Sequence, residues 1–92
     1  MQIESTCQEP PYRTGTLKEL TFSAVQQMLP GVQPDTLPSA NGKVTMMWRF
    51  LADGKPCGIW NYRTSYEMRR ELSTFGPDEI LATLFGEAYA PL

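Results

Sequence analysis

Residues 43–63, KVTMMWRFLADGKPCGIWNYR, form the segment around which the fold is built. Two runs that read as β-strands, 43–51 and 57–63, stand on either side of Asp53-Gly54. An Asp-Gly pair between two extended runs is the strongest short signal for a hairpin turn. The sequence therefore predicts an antiparallel β-hairpin centred on this stretch.

The position of the turn sets which residues of the two strands face each other. With Asp53 and Gly54 as the loop residues, Arg49 is predicted to pair with Gly58. The other predicted pairs are Phe50–Cys57, Trp48–Ile59, Met47–Trp60, Met46–Asn61 and Thr45–Tyr62.

Both faces of this hairpin are predicted to be apolar. The core face carries Val44, Met46, Trp48, Phe50, Cys57 and Ile59. The opposite face, called the second face below, carries Met47, Arg49, Leu51, Trp60 and Tyr62. An antiparallel sheet with one solvated face alternates apolar and polar residues. We therefore expect something to cover the second face: a helix, another protomer or a ligand.

Two helices are predicted outside the hairpin, at about 21–29 and 77–85. Thr21 is a good N-cap for the first, and apolar residues follow it at helical spacing. Pro77 and two acidic residues favour the start of the second helix, and Gly86 favours its end.

The remaining segments are shorter. Residues 71–75 are predicted to add a third strand, and residues 14–20 form either a short strand or the lead-in to the first helix. Residues 64–70 fit a loop or one helical turn. The predicted fold class is α+β: a small antiparallel β-meander centred on the 43–63 hairpin, with both helices packed on one face.

A chain of 92 residues has room for one hydrophobic core. We assign residues 14–92 to a single α+β domain and residues 1–13 to a loose N-terminal arm, in which Pro10-Pro11 prevents a helix. The net charge is −2, with eight basic and ten acidic residues. This balance argues against direct nucleic-acid binding and against mimicry of a polyanion. No leader or membrane-spanning run is visible, so we expect a cytoplasmic protein with no membrane contact.

The residues that usually carry catalysis or bind metals are scarce. The chain has two cysteines, Cys7 and Cys57, and no histidine. Two ligands cannot fill a tetrahedral zinc site, and the commonest general base is missing. Cys57 is predicted to point into the core, and two free thiols are favoured over a disulfide. We expect a non-enzymatic protein without a cofactor.

The sharpest candidate binding site lies on the second face at Arg49, Trp60 and Tyr62. Aromatic rings beside a guanidinium suit a flat or anionic ligand, and Gly58 would leave a shallow notch there. The alternative interpretation is that Arg49 simply packs over Trp60 with its aliphatic stem. The candidate site also includes Met47 and the basic residues Arg63, Arg69 and Arg70, although nearby acidic residues make a solvated surface the simpler account of these arginines.

The hairpin also carries a recognisable pattern. It consists of Lys43-Val44, Trp48 and Phe50 in the first strand, the Asp53-Gly54 turn, and Ile59-Trp60-Asn61-Tyr62-Arg63 in the return strand. This pattern resembles that of small uncharacterised bacteriophage accessory proteins. The resemblance runs from about Thr21 to Gly86 and departs at the proline-rich arm and at the strand-to-helix junction. It implies a phage origin, and such proteins often inhibit host defence by binding a defence complex or sequestering a nucleotide signal.

Three functional hypotheses follow. The first is a non-enzymatic binding or inhibitor protein, such as a phage counter-defence protein that binds a host defence protein through the second face. The second is an oligomeric sponge that sequesters a small nucleotide. Paired protomers would form pockets lined by the same aromatic and arginine residues of the second face, and the helix start at Gly76-Pro77 would receive a phosphate. The third is a structural or assembly subunit that forms a homo-oligomer through the second face.

Overall fold

The computed structural model of the chain describes residues 1–36, 44–62 and 70–92. These residues form a six-stranded antiparallel sheet, in the order β1-β3-β4-β5-β2-β6, and two α-helices. In chain order the elements are β1 (Ile3–Ser5), β2 (Gly15–Lys18), α1 (Phe22–Met28), β3 (Val44–Ala52), β4 (Lys55–Tyr62), β5 (Glu71–Phe75), α2 (Asp78–Phe85), a 3₁₀ turn (Gly86–Ala88) and β6 (Tyr89–Pro91). The predicted α+β class is confirmed, and β3, β4 and β5 form the predicted meander.

Both helices contribute to one core on one face of the sheet, as predicted. The helices bury Val25, Ile80, Leu81 and Phe85 against strand residues that include Leu17, Trp48, Phe50, Cys57, Ile59 and Leu72. The prediction that Cys57 points into the core is confirmed.

Helix α1 begins at its predicted N-cap, Thr21, whose hydroxyl accepts a first-turn backbone N–H at 3.0 Å. Gln26 joins this helix to the sheet. Its Oε1 accepts the indole N–H of the fully buried Trp48 at 3.1 Å. Its Nε2 donates to the carbonyl oxygens of Leu29 and Val32. The end of α1 is therefore tied to the centre of β3.

The hairpin turn has the predicted geometry. Asp53 and Gly54 have φ angles of 50° and 79°, and both loop residues of a type I′ turn require positive φ. The predicted register is confirmed from the turn out to the pair Met47–Trp60.

Beyond the Met47–Trp60 pair, the register shifts. The next paired residues are Val44 and Tyr62, so two residues of β3 stand opposite Asn61 alone. This two-against-one arrangement is a β-bulge. Asn61 is only 3% exposed, so its amide is held inside the fold.

The bulge corrects two sequence-based predictions. The pair Thr45–Tyr62 is wrong, because Val44 lies opposite Tyr62 instead, and the core position of Val44 is wrong for the same reason. Met46 shares the place opposite Asn61 with Thr45, so the predicted pair Met46–Asn61 is not a regular one. Asn61 Oδ1 accepts the backbone N–H of Met46 at 2.7 Å. The side chain of Asn61 thus accepts a hydrogen bond from a backbone N–H that has no regular partner at the bulge. No local sequence pattern predicts this contact.

The shorter segments resolve as follows. Residues 71–75 form the predicted third strand, and Gly15–Lys18 is a strand rather than a helix lead-in. The strand β6 was not predicted; it pairs with β2, with Tyr89 opposite Leu17. The interpretation of residues 64–70 falls almost entirely outside the described residues.

The N-terminal segment crosses the sheet. Strand β1 pairs with β3, whereas β2 pairs with β5, so the connection between β1 and β2 must pass over β3, β4 and β5. It passes over the second face, since the helices pack on the other. We call residues 6–13 the strap. The interpretation of residues 1–13 as a loose arm included neither β1 nor this crossing.

Candidate functional site

Three residues of the second face lie in one row across the sheet. Arg49 of β3 pairs with Gly58 of β4, and Gly58 pairs with Phe75 of β5. Because neighbouring strands are about 4.8 Å apart, the row spans about 10 Å at right angles to the strands. It presents a guanidinium, a gap without a side chain and an aromatic ring. We call these three residues the cross-strand row.

The strap contacts the cross-strand row residue by residue. Glu9 Oε1 lies 2.5 Å from Arg49 Nη1. Pro10 Cγ lies 2.6 Å from the position that a Cβ atom on Gly58 would occupy. The Tyr12 ring meets the Phe75 ring edge-on, with ring centroids 5.3 Å apart. The predicted notch at Gly58 therefore exists, and Pro10 fills it.

The strap is fixed at its ends and lightly held between them. At one end the Thr6 N–H donates to the carbonyl of Arg49 at 3.2 Å, and at the other the Thr14 N–H donates to a carbonyl of β5 at 2.7 Å. Within the described part of the chain, no backbone group of residues 7–13 bonds to the sheet. Every residue of this segment is exposed except Pro10.

The Arg49 guanidinium is shared between two carboxylates. Nη1 contacts Glu9, and Nη2 lies 3.2 Å from Asp35 Oδ2. Asp35 is held in place because its backbone forms a β-bridge with Met47. The Glu9 side chain is 69% exposed, so its ion pair contributes only about 0–1 kcal/mol. Arg49 is therefore paired within the chain and is not poised for a free anion.

The aromatic part of the predicted site is mostly covered. Trp60 is 5% exposed and Met47 is 8% exposed, whereas Tyr62 is 42% exposed. The rings of Trp60 and Tyr62 meet edge-on, with centroids 6.4 Å apart. Trp60 and Met47 thus act as buried support, and Tyr62 is the member of this group that reaches solvent.

The predicted basic residues are not part of the cross-strand row. Arg63 and Arg69 lie outside the described residues. Arg70 is exposed and has a φ of 55°, and its carbonyl accepts the N–H of Glu19 at 2.8 Å. It lies five residues from Phe75 in sequence, which is about 16 Å along a strand. Arg70 lines a separate cavity of about 440 Å³ with Glu19, Leu20 and Thr21.

An apolar groove of about 370 Å³ opens beside Phe75, at the β5 end of the cross-strand row. Aromatic and proline side chains form most of its wall, and Lys55 is its one charged lining residue in the described structure. The lining consists of Tyr12, Thr14, Lys55, Pro56, Phe75, Gly76 and Pro77.

Two titratable groups among the described residues, Cys57 and Tyr89, have clearly raised pKa values. Burial raises the pKa of the Cys57 thiol to about 11, which leaves it largely protonated and poorly nucleophilic at neutral pH. Cys7 is exposed, and both thiols are free. The described side chains include no group of three acidic or sulfur ligands placed to hold a metal ion. Neither described helix has the length and apolar character needed to cross a membrane.

The start of α2, which the sponge hypothesis assigns to a phosphate, carries negative charge. Asp78 and Glu79 lie in its first turn, and the Tyr89 hydroxyl donates a hydrogen bond to the Asp78 carboxylate. Burial and this carboxylate raise the pKa of Tyr89 to about 12. Two carboxylates disfavour an anionic ligand at this end of the helix.

Sequence reasoning missed the partners of the cross-strand row. Glu9, Pro10 and Asp35 lie in segments without periodicity, and each acts on a residue far away in sequence. The one available signal was the unexplained apolar character of the second face. It indicated a cover, but the strap of the same chain is none of the three covers expected from the sequence, which were a helix, another protomer or a ligand.

Comparison with family models, with curated proteins and with solved structures finds no match to this chain.

Proposed function

We propose that this chain is a non-enzymatic binding protein that contacts a protein partner through the second face, centred on Tyr62. The observation that supports this most directly is the pairing of Tyr62 and Trp60. Tyr62 is 42% exposed and rests edge-on against the buried Trp60 ring. A rigidly supported, exposed tyrosine is the kind of side chain that dominates protein–protein contact energies.

The arrangement of charge favours a protein partner over a small nucleotide. Arg49 already has two carboxylate partners, and the start of α2 holds two more carboxylates. The sponge hypothesis places a nucleotide at the second-face arginines and at the start of α2, and at both sites the nucleotide would meet carboxylates that repel its phosphates. In line with the resemblance to phage accessory proteins, we propose a host defence protein in the cytoplasm as the partner and inhibition as the effect.

A matched pair of variants tests the surface. Tyr62→Ala removes the aromatic contact on the second face, and Met28→Ala removes a side chain that is 40% exposed on α1. Both exposed changes should leave unfolding free energies within about 1 kcal/mol of the parent. We expect Tyr62→Ala to weaken partner binding by about tenfold or more, the loss of a contact hot spot. Met28→Ala should bind as the parent does.

The measurement starts with native mass spectrometry of the chain purified gently from a bacterial host. A complex with a host protein would supply the partner for affinity measurements on both variants. A multimer with added small-molecule mass would support the sponge instead, and a bare multimer would support the assembly subunit. Equal binding by the Tyr62→Ala and Met28→Ala variants would contradict the proposed surface.

A further inference from the structure

The strap has the character of an internal ligand. Its residues Glu9, Pro10 and Tyr12 meet a guanidinium, a notch and an aromatic ring, each with a complementary group. These contacts use side chains, and the backbone of residues 7–13 makes no hydrogen bond to the described sheet. A partner peptide could reproduce every one of them without reshaping the sheet.

Lifting the strap would leave the face beneath it intact. Arg49 keeps its contact with Asp35, so its charge stays paired, and the released Glu9 carboxylate is already 69% exposed to water. Asp35 is held independently of the strap by its bridge to Met47. Gly58 and Phe75 stay paired with each other in the sheet, because their pairing does not depend on the strap.

We propose that the cross-strand row is a peptide-docking track, and that the strap covers it until an extended segment of the protein partner takes its place. This inference rests on the proposed function and names the chemistry of the partner. Charge complementarity to Arg49 calls for an acidic residue, and the gap at Gly58 calls for a proline directly after it. An aromatic side chain two residues beyond the proline would meet Phe75, as Tyr12 does.

The test uses the full chain with a loosened strap. The variant Glu9→Lys/Tyr12→Ala removes the ion pair and the aromatic contact through two exposed side chains, which are 69% and 65% exposed. The control, Glu87→Lys/Met28→Ala, makes the same kinds of change at exposed positions away from the second face. The probe is the synthetic peptide TSQEPPYR, which copies residues 6–13 with serine in place of Cys7. A second peptide, TSQKPPYR, reverses the acidic charge.

Peptide binding is followed by NMR titration of the backbone amides. We expect TSQEPPYR to shift the Gly58 and Phe75 amides of the loosened variant. It should bind that variant at least about tenfold more tightly than the parent or the control, because the competing strap is mostly displaced. TSQKPPYR should bind at least about tenfold more weakly, since it faces Arg49 with a like charge. If these amides do not shift at peptide concentrations up to about 1 mM, the proposal is overturned, because a segment on a short tether typically has an effective concentration of this order. Dimerisation of the loosened variant without a response to peptide would overturn it too, in favour of a second copy as the occupant.

Hydrogen exchange on the unmodified chain provides a test that depends on no variant. The Thr6 amide, which bonds to the Arg49 carbonyl, should exchange at least about 100-fold faster than the central Ile59 amide if the strap opens locally. Equal rates would make the strap part of the global folding unit and overturn the proposal. Neither experiment uses the partner protein. A failed Tyr62 test with successful peptide binding would therefore refute the proposed partner surface and leave the track standing.

Discussion

Pro10 occupies the space that a side chain on Gly58 would need. Its Cγ lies 2.6 Å from the ideal Cβ position of Gly58, closer than real Cβ contacts approach. These residues lie 48 positions apart in sequence, in a segment without secondary structure and in the central hairpin. Their contact explains why the sheet has a glycine in the middle of β4, where glycine otherwise weakens a strand.

The variant Gly58→Ala tests how tightly the strap is held. Overpacking costs about 1–3 kcal/mol where neither group can move. Because the strap is lightly held, we expect a loss of about 1 kcal/mol or less in the free energy of unfolding, measured by urea denaturation. The Thr6 amide should also lose exchange protection.

Replacing the colliding ring provides the control for Gly58→Ala. Pro10→Ala removes the Cγ atom, so the double variant should recover part of the lost stability. A loss above about 3 kcal/mol without recovery would show that the strap is rigid and integral to the fold.

The variant Asn61→Leu tests the β-bulge. It removes the acceptor for the Met46 N–H, and Asn61 is buried, so water cannot readily replace it. We expect the free energy of unfolding to fall by about 1–3 kcal/mol, the usual cost of a buried donor without a partner. Tyr62→Ala at the neighbouring exposed position is the control. A loss no greater than that of the control would mean that the Asn61 hydrogen bond does not hold the bulge.

Alkaline pH should destabilise the fold through Tyr89. Its pKa is raised to about 12 from the ordinary 10.0, so the folded state retains a proton that the unfolded state releases. The stabilisation from this group is complete below about pH 10 and is lost as pH rises toward 12. Spectrophotometric titration of the phenol should show a late transition for Tyr89. Asp78→Asn should lower the pKa of Tyr89, because it removes the neighbouring negative charge; an unchanged titration would contradict the role of Asp78.

The two cysteines should differ sharply toward alkylation. Burial raises the pKa of Cys57 to about 11, whereas Cys7 is exposed. With iodoacetamide near pH 8, mass spectrometry should show one fast modification, at Cys7, and labelling of Cys57 at least about 100-fold slower. Cys7→Ser should abolish the fast reaction. Fast labelling of Cys57 in that variant would show that the core opens around it under native conditions.

The hairpin turn, its register and the start of α1 could be predicted from the sequence, because local interactions encode them. The Asp53-Gly54 turn requires two positive φ angles, and those two residues adopt them readily. The turn then set the register out to Met47–Trp60, and Thr21 set the start of α1 through its own hydroxyl. Each of these features depends on residues within a few positions of one another, or on a pairing that propagates from the turn.

The cover of the second face, and the accessibility of the candidate residues beneath it, depend on contacts between residues that are distant in sequence. Glu9 reaches Arg49 across 40 positions, and Asn61 reaches the backbone of Met46 across 15. A proline-rich segment shows no periodicity that indicates where it will dock, and a strand asparagine shows no sign that it will support a bulge. Contacts of this kind depend on how complete elements meet in space. For that reason the sequence indicated a cover for the second face, and the folded chain alone showed that its own N-terminal strap crosses this face over Arg49, Gly58 and Phe75.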